Sequence, residues 1–415
     1  MRRRQFLSLI PIPAIAQNGA RDRYFARYPF DKWAEAGERA QLHWNVRIPA
    51  PQLSSHQRLA GRVEVQIESR EIEKRRGRGE LITFFQVEDS SGRRWRRHDT
   101  FSLATIPAGG KPKPLYYAQE FFIVPGDYKF SLAACDSKTS DYSFTQRTLR
   151  VSPLHNDPLP NAFANLPAIE LASHLGMPDS WFQPYTRGRL NLPIETTRTV
   201  HIDVILNLTL SERTAGSLAA FRRNMNALVP ALKVLSQLRP SQGALNVTLL
   251  DLTKRRMWEQ KNVEELNWDR LRAPFAESNP GVIDAQSLAA KEQMTQFFWD
   301  QILDRVRTDP EGAEYRAVIV LSSPLFLAHQ IKVEPAVPPR DARRRVFYLR
   351  YRPLPRYRAV PIPGDGLRPP ATALPSDDLE KTLKGLDSKN FTPINPAEFR
   401  KALAAIMETI RAWIE

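Results

Sequence analysis

Seven prolines between Pro153 and Pro193 break the chain in two: Pro153, Pro158, Pro160, Pro167, Pro178, Pro184 and Pro193. Proline has no backbone N–H to donate and a fixed φ, so no regular element is expected to run through such a stretch. A chain of 415 residues also exceeds the ~100–200 residues of an ordinary domain. Residues 154–196 therefore read as a Pro-rich linker between two domains. Residues 168–175 within it predict a short helix. Trp181 and Phe182 predict that the linker lies against a domain surface, since large apolar side chains are costly in water.

The two sides of the linker differ in period. Before it, apolar residues alternate or cluster in short runs at 41–46, 58–67, 80–87, 115–124, 128–134 and 142–151, bounded by turn formers such as Asp89-Ser90-Ser91-Gly92 and Pro125-Gly126-Asp127. Such a series predicts an all-β sandwich over residues 17–153. Residues 121–130, with Tyr128 two positions after Gly126, resemble the late hairpin of immunoglobulin-like domains. After the linker, strands alternate with long amphipathic helices. Strands are expected at 199–208, 244–252, 316–321 and 345–350, with 256–260 pairing back on the second. A helix is expected from Leu218 through Leu238, kinked at Pro230, and another over 285–306. Asn395-Pro396-Ala397-Glu398 gives an N-cap, a first-turn proline and a capping-box acid ahead of Phe399, Leu403, Ile406, Ile410 and Trp413. This alternation predicts an α/β Rossmann-like open sheet with flanking helices over 197–415. Residues 352–375, with seven prolines plus Arg356, Arg358 and Arg368, read as a mobile Pro/Arg-rich loop.

The N-terminus reads as an address. Arg2, Arg3 and Arg4 precede an apolar run at 6–15 and the Ala14-Ile15-Ala16 cleavage pattern, which predicts a signal peptide over 1–16. Arg3-Arg4-Gln5-Phe6-Leu7 also resembles the twin-arginine pattern. The expected location is periplasmic or extracellular. Losing residues 1–16 removes three arginines and no acid, so the formal charge falls from +15 to +12. One cysteine, Cys135, excludes an intramolecular disulfide and any cysteine-cluster metal site. No run reaches the ~20 apolar residues of a spanning helix, so the protein is not expected to be membrane-spanning.

Three places in the second half resemble the von Willebrand factor A (VWFA) domain family. The first expected strand ends Asn207-Leu208-Thr209-Leu210-Ser211, where the family has Asp-x-Ser-x-Ser holding a magnesium-type ion. Residues 317–324 end in Ser322-Ser323-Pro324, where the family has a strand ending Thr-Asp-Gly. Residues 379–410 resemble the family's closing helix, short strand and helix. The resemblance implies a degenerate adhesion site at Asn207, Thr209, Ser211 and Ser323, and binding or scaffolding work rather than catalysis. Hard divalent cations usually need carboxylates among their oxygen ligands, and these four side chains carry none. No metal or cofactor is therefore expected. Asp251, at the end of the neighbouring strand, is the acid that could complete a site. Asp203 lies within its strand and is expected to face the sheet surface instead.

The expected partner is another envelope or secreted protein, not nucleic acid. Two alternatives stay open. One is a hydrolase with an inter-domain site using Ser322, Ser323 or an acid beside a histidine. The other is weak contact between anionic envelope polymers and Arg94 and Arg96 in the run Arg93-Arg94-Trp95-Arg96-Arg97. Strand alternation would send Arg94 and Arg96 to one face and Trp95 into the core. His201 reads as a core or edge residue, and Cys135 as a small buried hydrophobe.

Overall fold

The computed structural model describes residues 23–106, 113–171, 188–211, 217–278, 293–307, 315–327, 343–352 and 377–414. The expected signal peptide, Trp181, Phe182 and the loop beyond Arg352 lie outside the described residues. The chain divides into two compact units. The first takes the described residues of Met1–Gln52, Leu59–His155 and Pro167–Met177. The second takes those of Leu53–Arg58, Asn156–Leu166 and Pro178–Glu415.

The first unit runs α1 (Arg23–Arg27), α2 (Phe30–Ala36), β1 (Arg39–Ala40), β2 (Trp44–Arg47), β3 (Gln52–Leu53), β4 (Leu59–Ile67), α3 (Ser69–Arg75), β5 (Glu80–Asp89), β6 (Arg94–Ser102), β7 (Leu115–Ile123), β8 (Gly126–Asp136), β9 (Tyr142–Val151) and β10 (Ile169–Leu171). Antiparallel pairing orders them into two sheets, β1-β9-β8-β5-β6 and β10-β7-β4-β2. Period-2 burial along β4 shows why: Leu59, Val63, Val65 and Ile67 are buried, and Arg62 between them is exposed. The sheets meet face to face through Phe85 and Phe121, 6.0 Å apart, and Phe121 and Phe130, 5.4 Å apart. Gly61 is required here, because a Cβ at that position would lie 2.4 Å from the Phe121 ring. The other face of the first sheet is covered by α1 and α2, whose Phe25, Phe30 and Trp33 pack on Ile82, Phe84, Cys135 and Phe144. These two helices were not expected. They are too short for their spacing to stand out. The helix expected at 168–175 is instead the strand β10, at least over Ile169–Leu171, where it pairs with β7.

The second unit runs β11 (Leu192–Ile194), β12 (Val200–Asn207), α4 (Leu218–Leu235), β13 (Leu238–Pro240), β14 (Gly243–Asp251), β15 (Arg256–Gln260), α5 (Trp268–Glu277), α6 (Met294–Arg307), β16 (Tyr315–Ser322), β17 (Arg344–Arg350), α7 (Asp378–Leu383), β18 (Lys389–Phe391) and α8 (Pro396–Ile414). Its main sheet has the order β15-β14-β12-β16-β17-β18. All neighbours are parallel except β15, which pairs back on β14. Strands buried on both faces need near-continuous apolar runs, and β12 supplies one. Its Ile202, Val204 and Leu206 share a core with α4 and α8, while Ile205 shares one with α6 and α7. The linker is not free of regular structure: β11 forms within it and pairs in parallel with β13. That pairing takes Leu238 out of the expected helix, so α4 ends at Leu235, having run through Pro230. Arg400 of α8 is buried and grips Asp157 through Nε (2.6 Å) and Nη2 (2.8 Å), fastening the stretch 156–166 to this unit. No helix among the described residues is long and apolar enough to cross a membrane.

Candidate functional site

Parallel register sets the site. β12 and β16 are adjacent, with Leu206 opposite Leu321, so their carboxyl ends deliver Asn207 and Ser322 to one place. Asn207 is fully buried. Its Nδ2 donates to Ser322 Oγ at 3.0 Å, and its Oδ1 accepts the Thr209 N–H at 3.0 Å. Thr209 Oγ1 accepts the Leu252 N–H at 2.7 Å, which ties in the end of β14. Ser211 Oγ donates to the Pro324 carbonyl at 2.7 Å and accepts the Phe326 N–H at 3.1 Å. Asn224 of α4 donates to Ser323 Oγ at 2.9 Å. The four expected residues Asn207, Thr209, Ser211 and Ser323 are thus brought together, and each is engaged with protein.

The acids near this cluster serve other ends. Asp251 is buried and its Oδ1 accepts the Lys254 N–H at 3.0 Å, closing a turn. Asp203 faces the sheet surface as expected, accepting from Asn246 Nδ2 at 2.9 Å and pairing with Arg316 Nε at 3.1 Å. Among the described residues, no group of three or more His, Cys, Asp or Glu is arranged to hold a metal ion. Ser322 Oγ donates to the Ser323 carbonyl at 2.6 Å. Asparagine amides donate to both serine hydroxyls, and Ser322 Oγ also meets a carbonyl and the Tyr348 phenol; none of these is a base that would activate a nucleophile.

Sequence reasoning missed a second part of this site. Asp377, immediately before α7, is fully buried. Its Oδ2 accepts from Tyr348 Oη at 2.6 Å and from the Leu325 N–H at 3.1 Å, and its Oδ1 accepts the Glu380 N–H at 2.8 Å. One carboxylate therefore joins the segment after β16, the strand β17 and the start of α7. Asp378 adds a bond from the Leu327 N–H at 2.6 Å. Burial pushes the Asp377 pKa above the ordinary carboxylate value, against the pull of its hydrogen bonds and of Arg350. Burial and the Asp377 charge together hold the Tyr348 phenol well above its usual value. The signal was present in the sequence: Asp377-x-x-Glu380 ahead of Leu379 is an N-cap spacing.

The basic run lies on β6 of the first unit. Arg94 Nε donates to Glu88 Oε2 at 2.6 Å. Arg96 donates to Gln86 Oε1 at 2.6 Å, pairs with Asp31 and stacks over Phe25 at 4.9 Å. Trp95 is half-buried rather than in the core, because β6 is a sheet-edge strand. His201 is half-buried, and burial lowers its pKa. Cys135 is fully buried, and burial pushes its thiol up to about 12.

No protein-family profile matches this chain, and no curated protein matches it either. Among solved structures, 22 chains match. The ApaA protein of Bordetella pertussis is 12% identical, with 28% of this chain and 97% of that chain covered, at a TM-score of 0.18. A family 2 glycosyl hydrolase from Bacteroides cellulosilyticus is 10% identical, with 84% of this chain and 38% of that chain covered, at a TM-score of 0.18. A family 123 glycoside hydrolase from Clostridium perfringens is 7% identical, with 88% of each chain covered, at a TM-score of 0.20. Likenesses this weak assign neither fold nor activity to the chain.

Proposed function

We propose that this chain is an exported, non-catalytic binding or scaffolding protein of the bacterial envelope, in which an immunoglobulin-like sandwich precedes a VWFA-like domain that works without a metal ion. Numbered by appearance within the main sheet of the second unit, the strands stand 3-2-1-4-5-6, the order of doubly wound sheets that bind ligands at their carboxyl ends. For the sandwich, the support is Tyr128, whose hydroxyl donates to the Val124 carbonyl at 3.0 Å, in the manner of a tyrosine corner. The observation that carries the metal-free part is the strand-end cluster. Where the family holds an ion, Asn207, Thr209, Ser211 and Ser323 contribute neutral groups bonded to one another's surroundings.

The test is calorimetric titration of residues 17–415 with magnesium and manganese, followed by capture from envelope extract. No saturable metal binding is expected. Capture should retain a specific partner, and Leu218→Glu should lose it. Leu218 is exposed on the first turn of α4, the helix whose Asn224 reaches the strand ends. Micromolar metal affinity would overturn the metal-free part. Identical captures by the two proteins would overturn the placement of the contact face.

A further inference from the structure

The opposite pole of the same sheet holds a cleft of about 500 Å³, between the amino ends of β17 and β18 and the last turns of α8. Trp413, half-buried, gives it an apolar wall. Four charged side chains also line it: Arg345 and Lys389, Asp387 and Glu408. Two are positive and two negative, yet no ion pair joins them among the described residues. All four are exposed, so both signs are offered to the cleft.

The cations are oriented from behind. Lys389 Nζ donates to Thr409 Oγ1 at 3.0 Å and sits 5.7 Å from the Phe391 ring centroid. That leaves two of its three ammonium donors unassigned. The Arg345 guanidinium lies 5.7 Å over the Trp413 ring, which Tyr315 steadies by an edge contact at 5.0 Å. Asp387 is held in the left-handed region at φ 53°, and Glu408 stands on α8. Each charge thus sits on an ordered backbone element or turn.

A purely anionic ligand would meet Asp387 and Glu408, and a purely cationic one would meet Arg345 and Lys389. A net-neutral ligand with separated charges meets neither penalty. Cavities of ~300–1,000 Å³ accommodate small ligands. We propose that this cleft binds a short zwitterionic peptide, its carboxylate on Arg345 and Lys389, its ammonium on Asp387 and Glu408, and an apolar side chain along Trp413. Charge-assisted bonds at both ends would set orientation and specificity, and the indole would supply contact area. The site is independent of the strand-end cluster and does not rest on the function proposed for it.

The experiment is calorimetric titration of the full chain with four apolar dipeptides: Ala-Phe, Phe-Ala, Ala-Leu and Leu-Ala. Their N-acetylated and C-amidated forms and a neutral disaccharide are run alongside. At least one free dipeptide should bind saturably. Each blocked form of it should bind at least about tenfold more weakly. Arg345→Ala and Glu408→Gln change exposed side chains, so both variants should fold normally and each weaken the free dipeptide about tenfold. Three results would overturn the proposal: no saturation by any dipeptide up to about 10 mM, blocked forms that bind as well as free ones, or binding of the disaccharide in their place. Dipeptide binding that neither variant changes would also place the ligand elsewhere.

Discussion

Two aspartates of the second unit leave water for different neighbours. Asp157 accepts two bonds from the Arg400 guanidinium and one from the Leu159 N–H. Burial pushes its pKa up, but the Arg400 and Leu159 hydrogen bonds outweigh that and hold it below the ordinary value. Asp377 is buried more deeply and also accepts three bonds, yet all three donors are neutral, and its pKa is raised. Hydrogen bonds lower both pKa values, but the charged donor Arg400 adds an attraction at Asp157 that the neutral donors of the more deeply buried Asp377 do not match against its lost solvation.

The largest effect should come from breaking the compensated pair. Arg400→Met leaves the Asp157 carboxylate without its cation and the Leu159 carbonyl with the Ala162 N–H as its remaining donor. Loss of one partner from a buried pair costs ~3–5 kcal/mol, and the solvent left to Asp157 favours the lower end. Denaturant unfolding of the second unit would read this, and a loss under ~1 kcal/mol would mean that the pair behaves as an exposed one. The next effect sharpens the neutral-donor side. Asn207→Asp puts a carboxylate where Asn207 now donates to Ser322 Oγ. It should cost ~1–3 kcal/mol, and magnesium should not restore the loss. Restoration by magnesium would show that a latent ion site survives.

Asp377→Asn tests the other aspartate by its pH dependence. A raised folded pKa means that the carboxyl contributes stability fully below its unfolded value of ~3.9. That contribution is lost as pH rises through the folded value. Asp157 has the opposite sign: its contribution is present above ~3.9 and is lost as pH falls through its depressed folded value. Replacing Asp377 by Asn removes one hydrogen-bond acceptor at every pH but the charge only where it exists. The variant should therefore improve relative to wild type between pH 4 and pH 7, on the order of 1 kcal/mol for each pKa unit of elevation. Chemical denaturation at the two pH values measures it, and a flat difference would show that Asp377 is compensated after all.

The comparison also explains what was legible in the sequence. Apolar runs at 199–208 and 316–321 dictated buried parallel strands, and β12 and β16 follow them closely. Asn207, Thr209, Ser211 and Ser323 stand out in the sequence through their resemblance to a family pattern at strand ends, and parallel register gathers those ends. Asp377 was not found, because its partners Leu325 and Tyr348 are 52 and 29 residues away and its local signal is only a helix cap. Arg400 was hidden in the same way. It occupies an apolar helix face, and its partner Asp157 lies 243 residues earlier, in a stretch that its prolines marked as linker. Periodicity reports what a residue's own element buries, and it carries no record of partners that arrive from distant chain.

The smallest effect belongs to charges that never leave water, and it limits the comparison from that side. Arg94 pairs with Glu88 across β5 and β6, and both side chains keep solvent. Exposed pairs of this kind contribute ~0–1 kcal/mol, because water already solvates each partner and salt screens the attraction. Arg94→Ala should shift unfolding of the first unit by no more than ~0.5 kcal/mol, with the difference vanishing in high salt. Arg96 differs in one respect, since its guanidinium also stacks on Phe25 beneath α1 and α2. Arg96→Ala should therefore cost more than Arg94→Ala, and the excess should survive salt, because packing rather than charge sets it. Equal, salt-sensitive losses for the two would mean that Arg96 acts as a surface charge alone. The same pair of variants bears on polyanion binding: retention on an anionic polymer that both leave unchanged would show that the Glu88 and Asp31 carboxylates already neutralise this edge of the sheet.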